Sequence, residues 1–95
     1  MQLPARLTMR EARATSAALG TGVAAAPRGG RLAVDASALQ ELDTAALAVL
    51  LQAQRDAQAR GVALAVEGAP SQLRRIAALY GVEDLLGLAE PGSSG

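Results

Sequence analysis

The alternation of apolar and polar residues predicts a strand, a long helix and a second strand in the middle of the chain. Over residues 31–35, the side chains of Leu32 and Val34 fall on one face of a strand. Residues 44–59 consist mainly of Ala, Leu, Gln and Arg without Gly or Pro, which favours an uninterrupted helix. Residues 62–66 are nearly all apolar, as is typical of a strand buried on both faces in a parallel pair. Together these segments predict a right-handed βαβ unit.

A short strand and a helix are predicted ahead of this unit. Residues 1–7 are long enough for one strand, which Pro4 restricts to a sheet edge or a strand end. Thr8 and Glu11 have the spacing of a capping box, with Thr8 as the N-cap, and they predict a helix over residues 9–18. The glycines that follow are expected to weaken or end this helix: Gly20 and Gly22.

After the βαβ unit, the sequence predicts further helical segments and then a tail. Over residues 71–80, one helix face comprises Leu73, Ile76, Ala77 and Tyr80. Residues 82–88 predict one more helical turn, with three leucines that cover the sheet: Leu85, Leu86 and Leu88. Residues 89–95 are expected to be a flexible tail. The prediction is a single α/β domain over residues 1–88, with a small mixed sheet of about three to four strands covered by about four helices, mainly on one face.

The residue types that the chain lacks exclude most forms of catalysis and metal binding. The 95 residues include no Cys, His or Lys, so thiol and amine nucleophiles, an imidazole base and the best zinc ligands are all missing. Carboxylates remain for acid–base chemistry, and Asp35 and Asp43 could be neighbours at a strand end and a helix start. Capping a turn and capping a helix are commoner roles for such residues. We therefore expect no catalytic residues, no cofactor and no metal site.

Charge and hydropathy indicate a protein-binding domain in the cytoplasm. The basic and acidic residues number nine each and give a formal net charge of zero, which argues against binding to nucleic acid. The first residues lack the apolar stretch of a signal peptide, and no apolar run approaches the roughly 20 residues of a membrane span. We expect a cytoplasmic location without direct membrane insertion. A near-neutral domain tends to associate, so a protein partner or a weak homodimer is expected.

The start of the long helix is the best-defined candidate for a binding site. Asp43 is a good N-cap, and Leu42 and Leu47 stand at the positions of a hydrophobic staple. Thr44, at the first helical position, would leave the first-turn N–H groups accessible to a partner's carboxylate or carbonyl. Two interpretations stay open: Asp43 only caps the helix, or the capped helix start also contacts a partner.

The apolar residues of the long helix form two adjacent stripes, which is more than one narrow core face needs. One stripe comprises Ala46, Val49, Leu50 and Ala53, and the next comprises Leu47 and Leu51. Either the whole width is a core face filled by small residues, or part of it is a docking surface.

Several stretches of the sequence resemble the STAS domain family, which includes sulfate-transporter tails and anti-sigma-factor antagonists. They are residues 32–37 (LAVDAS), 42–51 (LDTAALAVLL), 60–62 (RGV) and 77–82 (AALYGV). In the family's pattern a strand ends in Asp, and after a short connection a helix begins with an Asp-Ser-Ser-Gly-Leu-like sequence. The resemblance spans residues 31–88 and implies a STAS-like fold without catalysis of its own.

Within the family, the chain is most similar to the STAS subunits of bacterial Mla phospholipid-transport ABC systems, also labelled toluene-tolerance or NTP-binding proteins. This similarity rests on the Asp43-Thr44 pair and on the Leu-Tyr segment near the end. It implies a subunit that binds and supports the cytoplasmic ATPase of a system maintaining outer-membrane lipid asymmetry. Such a subunit is peripheral to the inner membrane through its partner. The implied partner contacts are Asp43, Thr44, Ala45, Leu47 and Ala48.

The resemblance also leaves a phosphorylation-regulated alternative, the anti-sigma-factor antagonist. In those antagonists the phosphorylated serine is the second residue after the Asp, and here that position is Ala45, which has no hydroxyl. Thr44 or Ser37 would have to be the phosphoacceptor instead. Phosphate would add about −1.5 to −2 charge at the helix start and eject a partner.

Overall fold

The structure is a computed structural model that describes residues 1–86. The elements in this range are β1 (Arg6–Leu7), α1 (Ala12–Ala25), β2 (Arg31–Asp35), β3 (Glu41–Leu42), α2 (Thr44–Ala59), β4 (Ala63–Glu67), α3 (Ser71–Leu79) and α4 (Glu83–Leu86). They confirm the α/β class and the predicted number of strands and helices. No helix in this range is long and apolar enough to cross a membrane. Leu88 and the predicted tail, residues 89–95, lie outside the described residues.

The strands form two parallel ladders in place of one small sheet. β2 and β4 pair over five residues, from Arg31 opposite Ala63 to Asp35 opposite Glu67. β1 and β3 form a second ladder of two residue pairs. Because α2 lies in the connection between the two parallel strands of the first ladder, the predicted βαβ arrangement is confirmed, and its right-handedness stays a prediction. β4 begins one residue later than predicted.

The N-terminal segment joins the two ladders. The Leu3 N–H donates to the Asp35 carbonyl at 2.8 Å, in a stretch that runs parallel beside β2. After Pro4, the Ala5 carbonyl accepts the Glu41 N–H at 3.0 Å, just before β1 pairs with β3. The single strand predicted here is therefore interrupted at Pro4, which has no N–H to donate.

Only one face of the β2–β4 ladder is buried. Val34, Leu64 and Val66 are at most 6% exposed, whereas Ala33 and Ala63 are exposed on the opposite face. The prediction that residues 62–66 are buried on both faces is wrong. The reason is that large and small apolar residues alternate along the strands, and the large ones share a single face.

The first helix begins and ends later than predicted. α1 runs over Ala12–Ala25 instead of residues 9–18. Thr8 and Glu11 form a turn in front of it, in which the Thr8 N–H and hydroxyl both donate to Glu11 Oε1 at 2.9 and 2.6 Å. Half of the predicted capping box therefore forms, without a helix start at Thr8. The helix continues through both glycines because one of its faces is buried, at Thr15, Leu19 and Val23.

The long helix begins and ends where the sequence predicts. The residues of α2 that are buried come from both apolar stripes: Ala46, Leu47, Val49, Leu50, Ala53 and Ala57. Most of the apolar width is thus a core face. Gly61, with a φ of 70°, follows the helix in the left-handed conformation that suits glycine. The chain turns there and enters β4.

Two predicted core contacts near the end of the described range are wrong. α3 ends at Leu79, so Tyr80 lies beyond the last turn and is 58% exposed. In α4, Leu86 is fully buried, but Leu85 is 53% exposed. Gly81, with a φ of 70°, turns the chain directly after Tyr80, so the helical spacing no longer holds there.

We predict that Gly20→Ala stabilises the protein and that Gly22→Ala stabilises it less. Alanine in place of glycine in a helix interior is worth about 0.5–1 kcal/mol. A Cβ at position 20 has no atom within 4 Å, whereas a Cβ at position 22 lies 3.3 Å from Leu32 Cδ2, which must move. Urea unfolding of both variants measures the difference. Destabilisation by Gly20→Ala would show that α1 does not continue through that position.

We also predict that Glu11 makes stability depend on pH in the acidic range. The Thr8 hydroxyl and N–H hold the pKa of Glu11 below its ordinary value of 4.5. The stabilisation is therefore complete above the unfolded pKa and is lost as the pH falls through the lower pKa of the folded state. Thermal unfolding should show that the native chain has a higher melting temperature than Glu11→Gln at about pH 7, and that this difference shrinks towards about pH 3. A constant difference across this range would contradict the role of the Thr8 hydrogen bonds.

Candidate partner-binding site

The Asp43 carboxylate connects the start of α2 with the turn that precedes α1. Its Oδ1 accepts the Ala45 N–H at 2.8 Å, so the predicted N-cap is confirmed. Its Oδ2 accepts the Met9 N–H at 3.3 Å. Each oxygen thus has a different backbone partner, and one side chain holds both elements. The bond to Met9 is a long-range contact that the sequence did not indicate.

The first-turn N–H groups of α2 are less open than the sequence suggests. Asp43 occupies the Ala45 N–H with its side chain, and its carbonyl accepts the Ala46 N–H at 3.0 Å. A partner's carboxylate would have to displace these bonds to reach the two donors. The helix start instead offers the exposed hydroxyl of Thr44, which makes no hydrogen bond to the residues that the structure describes.

Short side chains form a ridge along the outer face of α2. Thr44 and Ala48 lie one turn apart and are exposed, while Ala45 is half-buried. We name Thr44 and Ala48 the α2 ridge. Leu47 is 3% exposed and belongs to the core. The candidate contact residues therefore come together at one helix start, with Leu47 beneath the surface.

Shallow depressions flank the α2 ridge on both sides. The first, which we name the Tyr80 groove, measures about 230 Å³ and is lined by Thr44, Leu47, Ala48, Leu51, Tyr80 and Val82. The second, the Arg13 groove, is open and measures about 520 Å³; it shares Ala48 and is otherwise lined by Ala12, Arg13, Ser16, Ala17, Val49 and Gln52. Because Ala48 belongs to both grooves, a protein bound on the ridge can reach either of them.

Tyr80 is the site residue whose environment was predicted wrongly. It is the only aromatic residue of the chain, and it lies at the surface instead of in the core. The signal that could have identified it is its place directly before Gly81, since a residue beyond the last helical turn is not held on the buried face. The preceding residue, Leu79, is 80% exposed and is a second exposed apolar side chain in this segment.

The Asp35 and Asp43 carboxylates accept hydrogen bonds from different segments of the chain. Asp35 Oδ1 accepts the Ser37 N–H at 2.8 Å, in the loop that follows β2. Hydrogen bonds from the Ser37 side chain and backbone hold the pKa of Asp35 below its ordinary value of 3.8. The Asp35 carboxylate thus caps the turn after β2, whereas that of Asp43 caps α2 and also accepts the Met9 N–H. Among the described residues, no group of three or more Asp, Glu, His or Cys side chains could hold a metal ion.

Comparison with known families supports the interpretation of the fold. The family described as "Mlab, STAS domain" matches residues 1–87 of the chain. No curated protein sequence matches closely enough to be taken as a relative. The match covers every element of the structure and includes the capped start of α2. The chain therefore belongs to the Mlab, STAS domain family.

Proposed function

We propose that the chain is a non-enzymatic subunit that binds the cytoplasmic ATPase of an ABC-type phospholipid-transport system. It supports the assembly and activity of that ATPase, in a system that maintains outer-membrane lipid asymmetry. Its place is at the cytoplasmic side of the inner membrane, to which it is attached through its partner. The proposal is supported by the family, whose description names Mlab, and by the surface at the start of α2.

The observation that carries the proposal is the α2 ridge. Thr44 and Ala48 are exposed and short, so a partner's backbone can approach α2 closely. Asp43 fixes the helix start through hydrogen bonds to two segments of the chain. A surface held in this way loses little conformational entropy on binding, which favours a stable complex.

The Tyr80 groove supplies an apolar part to the same surface. Tyr80 is 58% exposed, and Leu51 and Val82 are partly buried beside it. Tyrosine side chains and apolar pockets carry much of the binding energy in many protein interfaces. A groove of about 230 Å³ has room for one large apolar side chain of the partner.

Anti-sigma-factor antagonism is the second candidate function, and the exposed Thr44 hydroxyl is the observation that favours it. Two features oppose it. Ala45 stands at the usual phosphoacceptor position and has no hydroxyl. A phosphate on Thr44 would also add about −1.5 to −2 charge directly beside the Asp43 carboxylate.

The proposal predicts that Thr44→Arg prevents stable binding of the ATPase. A long cationic side chain on the ridge would block the close approach of a partner to α2. We expect the affinity for the purified ABC ATPase of the same organism to fall at least about tenfold. Ala48→Arg, one turn further along, should have a similar effect. Co-purification and isothermal titration calorimetry measure both.

Gln58→Arg is the matched control for these variants. Gln58 is also exposed on α2, but it lies near the opposite end of the helix. We expect this variant and the conservative Thr44→Ser to bind like the native chain. Undiminished binding by Thr44→Arg would eliminate the ridge as the site, and no ATPase binding by the native chain would eliminate the function itself.

The second candidate predicts that a cognate serine/threonine kinase phosphorylates Thr44. Intact-mass measurement after incubation with the kinase should then show one added phosphate on the native chain and none on Thr44→Val. An unmodified mass eliminates anti-sigma antagonism by phosphorylation at this residue. If phosphorylation of Thr44 releases a sigma-regulating partner, the second candidate function is supported and the transport function is contradicted.

A further inference from the structure

We infer that the Arg13 groove receives an acidic, amphipathic helix of the ATPase, with a carboxylate of that helix paired to Arg13. This inference rests on the proposed function, because it takes the ATPase as the partner. It adds the chemistry by which the partner is recognised and the side of α2 on which it lies.

The shape of the groove fits a helix. Ala12 and Ser16 on α1, and Ala48 and Gln52 on α2, each lie one turn apart, so a strip from each helix forms a wall. Val49 is 6% exposed and provides an apolar floor between the walls. Most of the wall residues are small, so a third helix can pack its apolar face between α1 and α2.

The charge of the groove selects an acidic occupant. Arg13 is exposed, is the charged residue among those that line the groove, and makes no ion pair with the described side chains. Two carboxylates of the same helical region have other hydrogen-bond partners and form no salt bridge with Arg13: Glu11 accepts from Thr8, and Asp56 accepts from Gln52 Nε2 at 3.1 Å. The Arg13 guanidinium is therefore available to a carboxylate, whose planar geometry it can match with two hydrogen bonds.

The position of the groove favours the ATPase over a second copy of the chain. Ala48 lies in the groove and on the α2 ridge, so an occupant of the groove is in contact with the proposed binding surface. A helix that crosses Ala48 can place an apolar residue towards the Tyr80 groove and an acidic residue towards Arg13. Both grooves would then contribute to one interface.

The test compares Arg13→Glu and Arg13→Gln with Arg60→Glu in binding to the purified ATPase. Charge reversal at Arg13 brings two negative charges together, so we expect the affinity to fall about tenfold or more, with a smaller loss in Arg13→Gln. Arg60 is exposed at the C-cap of α2, away from both grooves, and Arg60→Glu alters the net charge equally. That control should bind within about twofold of the native chain.

Salt dependence provides a second readout. Screening weakens an ion pair between exposed groups, so higher ionic strength should reduce the affinity of the native chain. Higher ionic strength should also reduce the difference in affinity between the native chain and Arg13→Glu. Circular dichroism verifies that all variants are folded, which is expected because Arg13 and Arg60 are exposed.

The possible outcomes separate this inference from the proposed function. Equal binding by Arg13→Glu and Arg60→Glu, while the native chain binds and Thr44→Arg does not, would overturn the inference alone. Failure of the native chain to bind the ATPase would overturn both. If Arg13→Glu instead abolishes self-association and leaves ATPase binding intact, the groove belongs to a second copy and the inference is wrong.

Discussion

The candidate binding surface at the start of α2 is held in place by the two hydrogen bonds that the Asp43 carboxylate accepts. One oxygen holds the Ala45 N–H at the start of α2, and the other holds the Met9 N–H ahead of α1. Loss of an N-cap costs a helix about 1 kcal/mol of stability. The bond to Met9 has a different effect, because it links the start of α2 to the segment that precedes α1. Because α1 and α2 each supply one wall of the Arg13 groove, we expect the link between the two helix starts to influence the width of the groove.

The core determines which side of α2 is left for contact. Leu3 and Leu7, from the segment that joins the two strand ladders, are at most 1% exposed. They contribute to the same core as the buried apolar face of α2, which includes Leu47 and Leu50. Most of the large apolar residues of α2 are therefore buried in the core. The short residues Thr44 and Ala48 remain at the surface, where they permit close approach by another protein.

Local signals in the sequence were sufficient to predict the central part of the fold. α2 was predicted from its first to its last residue, because Asp43 and Gly61 mark its ends and nothing inside interrupts it. The predicted end of α1 is wrong because burial of Leu19 and Val23 outweighs the weak helix propensity of the glycines beside them. That outcome depends on packing against other elements, which a single segment does not reveal.

The candidate site was predictable only in part for the same reason. Asp43 predicts the capped helix start, and the resemblance to STAS domains indicates Thr44 as a contact residue. The two grooves could not be predicted from the sequence, because each is formed by residues from segments far apart in the chain, such as Arg13 and Gln52. The helical spacing predicts Tyr80 in the core, whereas α3 ends one residue earlier, at Leu79.

The most direct test of the central claim separates the two oxygens of Asp43. Asparagine keeps one carbonyl oxygen that can cap α2, but its amide nitrogen cannot accept the Met9 N–H. In Asp43→Asn, the amide proton shift and exchange rate of Ala45 should stay close to native, while those of Met9 change; in Asp43→Ala, both should change. If Met9 is unaffected in both variants, the two helix starts are held independently and the claim is wrong.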